Sequence, residues 1–335
     1  METMRSGSTP LVSILVPAYN QAKYLRATIS SALAQEYPSL EVVVADDSST
    51  DDTASVVASF GDPRLRYEPA PRNLGRVANY RRGLYELARG EWILNLDGDD
   101  LLIDPGFVGA AVAAASRDDS VVLVCADRYE RADPIDPASF GPGRAALVEP
   151  SFVDGTAYVL SLPRPAWRMH HLTALYRAEA ARSIGFYRAD IVSSDYESLF
   201  RLALGNRVAH LEARVAVWRR HGGNASCEQD AEKAIRNYAL FQGVRDFAVA
   251  RLGPGSAASF DPWLIRTVAN RYYVTLMSYL RDGDLRGFLP VDRYVEATYP
   301  RARARALAHP KTYIKGALAW GRGLARSLRR ARPAL

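Results

Sequence analysis

Along the first hundred residues, apolar and polar positions fall into blocks, each with its own length and period. Residues 11–17, LVSILVP, are β-rich and apolar on both faces, which predicts a strand buried inside a parallel sheet. Tyr24, Leu25, Ile29, Ala32 and Leu33 recur at helical spacing, and Tyr37-Pro38 ends that helix. A second buried strand starts at Leu40 and runs into the polar loop DDSSTDDT. Thr50 or Asp51 caps the helix that follows, whose apolar face is Val56, Val57 and Phe60. Residues 64–67 form a short strand, Asn73-Leu74-Gly75 a turn, and residues 77–88 a helix that stops at Gly90. Trp92 to Leu96 is the next strand, and it ends at Asp97-Gly98-Asp99-Asp100.

Strands alternating with helices in this way predict an α/β fold with a doubly wound, mostly parallel sheet. Ligands of such sheets bind at the carboxyl ends of the strands. Tyr19-Asn20, Asp46-Asp47 and the acidic cluster all fall at those ends, so three polar groups from three strands converge on one rim. Three carboxylates this close repel one another, and a neighbouring cation is the usual remedy. A solvated turn capping the next helix is the competing explanation of the cluster alone. No glycine-rich loop follows the first strand, which excludes a dinucleotide-binding fold and a P-loop.

The chain has 335 residues and two cysteines, Cys125 and Cys227, too few for a disulfide framework. No run reaches the ~20 apolar residues of a membrane span, and the opening METMRSGSTP has no apolar core of signal-peptide length. These features point to a cytoplasmic protein. The net charge of +6 is uneven: residues 297–335 carry ten Lys or Arg and no acidic residue, leaving 33 basic against 37 acidic residues, net −4, in the rest. A main body of that sign does not suit nucleic acid.

LVSILVPAYNQAKYLRATISSALAQEYPSLEVVVADDSSTDDT, and then NLGRVANYRRGLYELARGEWILNLDGDD, resemble the nucleotide-binding half of the family 2 glycosyltransferases. The resemblance extends over residues 9–224. It implies a GT-A fold, a Rossmann-like sheet flanked by helices, and an inverting enzyme that transfers a sugar from a nucleotide donor, most often a UDP sugar. By that resemblance Pro17 contributes backbone to the base site, Tyr19 stacks on the base with Asn20 in the same loop, and Asp47 accepts from the base, while Asp46 supports the loop. Asp97-Gly98-Asp99 matches the family's Asp-x-Asp motif. Asp99 would bind Mn²⁺ or Mg²⁺ bridging the diphosphate, and Asp97 would contact the ribose or the metal shell. Asp100 is left a supporting role, and Gly98 lets the backbone come close to the ligand. Many relatives carry an Arg-Asn pair where this chain has Tyr80 and Arg81, so Arg76, Asn79 or Arg81 could each supply a diphosphate contact.

In the second half, residues 121–130 read as a strand and residues 134–150 as a Pro/Gly-rich loop. Asp195 opens a helix rich in Leu, and the resemblance makes it the general base, with Glu197 as an alternative and an ordinary helix cap as the structural reading. Trp218 to Asn224 resembles a late motif in which His221 completes the metal shell or contacts the diphosphate and Arg220 offsets phosphate charge. His170 and His171, near Trp167, line the acceptor pocket or a partly buried loop.

The expected organisation is a tail over residues 1–9, a GT-A domain over 10–225 divided into a nucleotide-binding half (10–105) and an acceptor half (106–225), and a helical extension over 226–335. That extension has helices at 231–251 and 262–281, with Tyr272, Tyr273, Leu276 and Leu280 forming a core or homodimer stripe. Residues 311–330 place Ile314, Leu318, Leu324 and Leu328 on one face and Lys315, Arg322, Arg326 and Arg329 on the next, which suits a helix on an anionic membrane surface or one packed on its own domain. The expected partners are a nucleotide-sugar donor and a glycan or lipid-linked acceptor. The rival functions are a sugar nucleotidyltransferase, whose glycine-rich first loop is missing here, and a non-catalytic nucleotide-sugar-binding protein.

Overall fold

The structure is a computed structural model that describes residues 9–224 and 230–308. The N-terminal tail and the basic amphipathic stretch at residues 311–330 lie outside the described residues. The chain divides into two compact units, one built on a sheet and one helical.

The sheet unit comprises residues up to Val159 together with Ala166–Asp190 and Ser194–Asn224. It opens as the apolar blocks predict: β1 (Val12–Ala18), α1 (Ala22–Leu33), β2 (Leu40–Asp46), α2 (Thr53–Ala58), β3 (Leu65–Pro69), α3 (Arg76–Arg82) and β4 (Trp92–Asn95). β1 and β2 are buried almost throughout, as strands covered on both faces must be. α1 turns Leu25, Ile29 and Ala32 into the core, where each large apolar side chain contributes about 2 kcal/mol. The helix expected at 77–88 is α-helical only over α3, and a π-helical turn, Gly83–Leu87, follows it. Asp51 does serve the start of α2, accepting from the Thr53 amide at 3.1 Å and hydroxyl at 2.6 Å.

The second half adds β5 (Leu101–Leu102), α4 (Phe107–Ala115), β6 (Val121–Ala132), β7 (Ser151–Asp154), α5 (Gly155–Ser161), β8 (Ala174–Arg177), α6 (Ala178–Ser183), α7 (Ser194–Ala203) and β9 (Arg207–Arg220). The strand order is β3-β2-β1-β4-β8-β6-β9-β5, with β7 also pairing β9. β1 to β4, β6 and β9 run parallel, while β8, β5 and β7 run antiparallel to their neighbours. The loop expected at 134–150 holds two short 3₁₀ turns. It is tied down by the Asp104 carboxylate, which accepts from the amides of Arg144 and Ala145 at 2.7 and 2.8 Å.

The register sets one height across the sheet. Val42, Ile14, Leu94, Leu175, Val124 and Ala209 form a continuous row of partners. Three or four residues beyond that row, β2 reaches Asp46, β4 reaches Asp97, the entry to β8 holds His171, and β6 reaches Arg128. These residues form the rim.

The helical unit contains α8 (Ala231–Asn237), α9 (Ala239–Leu252), α10 (Ala257–Asp282), α11 (Leu285–Thr298) and α12 (Pro300–Leu307). The helix expected at 231–251 is broken at Tyr238, and Asp230 caps its start by accepting from the Glu232 amide at 2.8 Å. Tyr272 packs with Phe288, Val291 and Val295 inside this unit. Asp292 accepts from the Tyr272 hydroxyl at 2.5 Å and from Arg303 through two nitrogens at 2.7 and 3.0 Å. Among the described residues no helix is long and apolar enough to cross a membrane.

Candidate functional site

The loops after β1 and β2 are fastened to each other. Asn20 takes the left-handed conformation, φ 52°, that asparagine tolerates better than most residues. Its amide donates to the Ser49 hydroxyl at 2.9 Å, and its side-chain oxygen accepts from the Thr50 amide at 2.8 Å. Asp51 accepts from the Ala22 amide at 2.9 Å. Tyr19 stands out from this rim, 49% exposed. Asp46 is buried and serves the loop, accepting from Ser49 and from the Tyr67 hydroxyl. Asp47 is buried too, and its two oxygens accept from the Leu74 and Gly75 amides at 2.7 and 2.9 Å. It therefore fixes the turn that leads into α3. The Pro17 carbonyl accepts from the Gly98 amide at 3.2 Å, so the β1 loop also touches the acidic loop.

The three carboxylates of the acidic loop have separate surroundings. Asp100 is buried; its side chain accepts from the Arg219 amide at 2.9 Å, and its carbonyl accepts from the Thr28 hydroxyl at 2.8 Å. Burial, and then the charges of Asp99 and Asp97, raise its carboxyl well above the ordinary range. Asp99 accepts from His221 Nε2 at 2.8 Å, and its carbonyl accepts from Arg219 Nε at 2.8 Å. Burial, followed by Asp97, raises its carboxyl, and His221 opposes the shift. Asp97 is half-buried and accepts from the Tyr80 hydroxyl at 2.8 Å. A Cβ on Gly98 would lie 2.5 Å from the Gln21 side-chain oxygen and 3.2 Å from the Pro17 carbonyl. A larger residue there would have to displace the Gln21 side chain and press on the Pro17 carbonyl.

His221 Nδ1 accepts from the Gly223 amide at 3.1 Å. In the neutral ring the proton then resides on Nε2, which donates it to Asp99. Nε2 so placed has no lone pair to offer a cation. Among the described residues no group of three or more His, Cys, Asp or Glu side chains is set to hold a metal. The donor set in place is Asp97 and Asp99, two hard oxygens, which fits a cation that draws its other ligands from a bound substrate. His221 fits as the group that holds Asp99.

Arg76 opens α3, with its guanidinium 5.4 Å from the centre of the Tyr80 ring. Burial works against its charge, while Tyr80, then Asp195 and Asp97, hold its pKa above the ordinary guanidinium value. The carboxylates of α7 and of the β4 end thus both favour its charged form. Asn79 is buried, donating to the Ala45 carbonyl at 2.6 Å, and Arg81 turns toward the Tyr187 carbonyl at 3.4 Å. Of the three candidates on this helix, Arg76 is the one in electrostatic reach of both carboxylates.

Asp195 is half-buried in the first turn of α7. Glu197, the alternative base, is 1% exposed and ion-paired with Arg201 at 2.8 Å and Arg188 at 3.1 Å. It is committed to structure, since Arg201 in turn donates to the carbonyls of Ile184 and Gly185. Arg220 pairs with Glu130 at 3.2 Å. His171 is buried at 2.6 Å from the Tyr187 hydroxyl, and His170 accepts from Arg128 Nε at 3.1 Å.

Beneath Asp97 lies a layer that sequence reading misses. Tyr80 packs against His171 and Tyr187, and the Tyr176 hydroxyl donates to Asn95 at 2.8 Å. Thr28 and Arg219, which pin the acidic loop, are also missed. Thr28 falls on the apolar face of α1, and that polar interruption is the signal it leaves in the sequence.

The model for "Glycosyl transferase family 2" matches residues 13–185. An uncharacterized protein of Mycobacterium tuberculosis is 32% identical over 243 residues, 69% of this chain and 73% of that protein. The succinoglycan biosynthesis protein ExoO of Rhizobium meliloti is 46% identical over 91 residues, 27% of this chain and 26% of that protein. Among solved structures, Staphylococcus aureus TarS 1–349 in complex with UDP-GlcNAc aligns with a TM-score of 0.66 at 18% identity, covering 97% of this chain and 93% of that one. At that identity the likeness concerns the fold, which is the GT-A fold expected from sequence.

Proposed function

This chain belongs to glycosyl transferase family 2 and is a glycosyltransferase, and from that premise we propose that it is an inverting, divalent-cation-dependent enzyme that passes a sugar from a UDP-sugar donor to a hydroxyl of a glycan or glycolipid precursor. The observation that carries this reading is Arg76, set over the Tyr80 ring at the start of α3, with its charge favoured by Tyr80 and then by Asp195 and Asp97. A candidate phosphate contact and a candidate base are then electrostatically coupled. The UDP-GlcNAc complex of TarS supports the choice of donor, and ExoO supports a role in polysaccharide synthesis.

In this reading the base lies between Tyr19 and Asp47, with Pro17 and Asn20 shaping the loop. Asp97 and Asp99 would hold Mn²⁺ or Mg²⁺, which would supply positive charge against the departing diphosphate. Arg76 adds a second positive charge to that diphosphate. Asp195 takes the proton from the acceptor hydroxyl as its oxygen bonds to the anomeric carbon. The bond from that carbon to the diphosphate breaks on the opposite face, its electron pair leaving with the nucleotide, so the configuration inverts.

Thermal shift of the full chain with UDP or GDP, each with and without Mn²⁺, tests donor and cation together. UDP with Mn²⁺ is expected to raise the midpoint most, and Asp99→Asn to abolish the cation-dependent part. Asp195→Asn is expected to bind UDP normally and lose about 10²–10⁴-fold in transfer. Full transfer activity in both variants would falsify the mechanism.

A further inference from the structure

We propose that Arg128 forms a subsite for an oxyanion carried by the acceptor, separate from the diphosphate seat. The proposal rests on the transferase reading above, and it begins with register. Leu94, Leu175 and Val124 are partners in one row, so Arg128, four residues past Val124, stands on the rim at the height of the acidic loop. One strand, β8, separates β4 from β6, which sets the two positions about 10 Å apart. Tyr19, Asp47 and Arg76 belong to the β1, β2 and α3 side of β4, and Arg128 to the other.

The guanidinium of Arg128 is placed without an ion pair, and its charge acts on the buried Asp100 carboxyl. It lies 4.6 Å from the centre of the Trp218 ring, and its Nε donates to His170 Nδ1 at 3.1 Å. Its Nη1 is buried and meets no acceptor. The nearby carboxylates are engaged elsewhere: Asp127 faces His210 at 3.6 Å, Glu130 pairs with Arg220 at 3.2 Å, and Asp100 accepts from the Arg219 amide. Among the described residues Arg128 forms no ion pair.

His170 offers no compensation. Burial, and then Arg128, Arg168 and His210, push its pKa down to about 3, so the ring is neutral at physiological pH. The same two arginines act on Tyr196, the residue after Asp195, and oppose the effect of Asp195 on its phenol.

A buried N–H without an acceptor is costly. An oxyanion supplies the missing acceptor. The guanidinium fork matches the two oxygens of a carboxylate or phosphate, and the indole of Trp218 covers one face of the fork. An acceptor bearing such a group close to its reacting hydroxyl would be held with that hydroxyl toward Asp195.

The test is calorimetric titration of the full chain, loaded with UDP and Mg²⁺, with methyl phosphate and, in a second arm, glucuronate. Binding of either probe is expected, and the better one names phosphate or carboxylate as the acceptor's anion. Arg128→Gln should weaken binding about tenfold or more, and Arg128→Lys less, since it keeps charge without the fork. UDP should bind Arg128→Gln as it binds the wild type, which shows that the variant is folded. Unchanged probe affinity in Arg128→Gln, exclusion of both probes by UDP, or no binding of either overturns the proposal. If UDP itself does not bind, the UDP-sugar reading fails, and the same titration without nucleotide still decides whether Arg128 holds an anion.

Discussion

At His221 the position of one proton decides what the side chain can do. With Nδ1 accepting from Gly223, the ring is a donor to Asp99, and a glutamine can offer a similar N–H. His221→Gln is therefore expected to keep cation affinity within a few-fold, and His221→Ala to lose more; equal, large losses would make the ring a metal ligand. His170 illustrates a proton refused. Its folded pKa, about 3, lies below the ordinary value near 6.5. The unfolded chain therefore binds more protons between those values, and stability falls as pH falls through that window. From pH 6.5 to 5 this group alone should remove ~2 kcal/mol. Urea titrations at both pH values should show that fraction disappearing in His170→Gln. Neither state can be read from the sequence, where His170, His171 and His221 differ only in their neighbours. The ring's partners come from Gly223, Arg128 and Tyr187, and folding brings the last two to it from distant parts of the chain.

α7 gives the assigned base its footing. Glu197 and Arg201, one turn apart, form a buried pair on the face of the helix away from solvent, and Arg188 adds a second cation. Removing one partner leaves an uncompensated buried charge, so Glu197→Gln should cost about 3 kcal/mol in urea unfolding. A loss below 1 kcal/mol would mean that the pair is replaceable by its solvent-facing neighbour. Elements on the donor side were legible because each strand is apolar on both faces and carries its functional residues at its own end. β1, β2 and β4 could therefore be drawn together with Tyr19, Asp47 and Asp99 at their tips. β8 and β9 were not legible in the same way. β9 carries charged residues on its open positions, and its late motif took on meaning only beside Asp99 and Asp100. Tyr80 was visible as a departure from the family's Arg-Asn pair, but its bond to Asp97 was not.

Across the whole chain, charge is divided: the residues before 297 carry a net −4 and the rest +10. A lipid-linked acceptor would suit a chain that reaches an anionic bilayer through its basic end. Full-length protein is then expected to co-sediment with anionic liposomes, and a chain ending at His309 to remain in the supernatant. Equal pelleting removes the membrane role and leaves the transferase reading intact.

The fastening of the β1 loop to the β2 loop has a kinetic consequence. Asn20, Ser49, Thr50 and Asp51 close that part of the rim through backbone amides, so a nucleotide bound there as proposed would meet a wall that is already assembled. Little ordering entropy remains to be spent on this side when the donor arrives. Donor capture should then run at the pace of ordinary encounter, with one relaxation phase that rises linearly with nucleotide concentration. A plateau in that rate would mean that the wall has to form first. Asn20→Ala, which releases the Thr50 amide, is the substitution expected to introduce one.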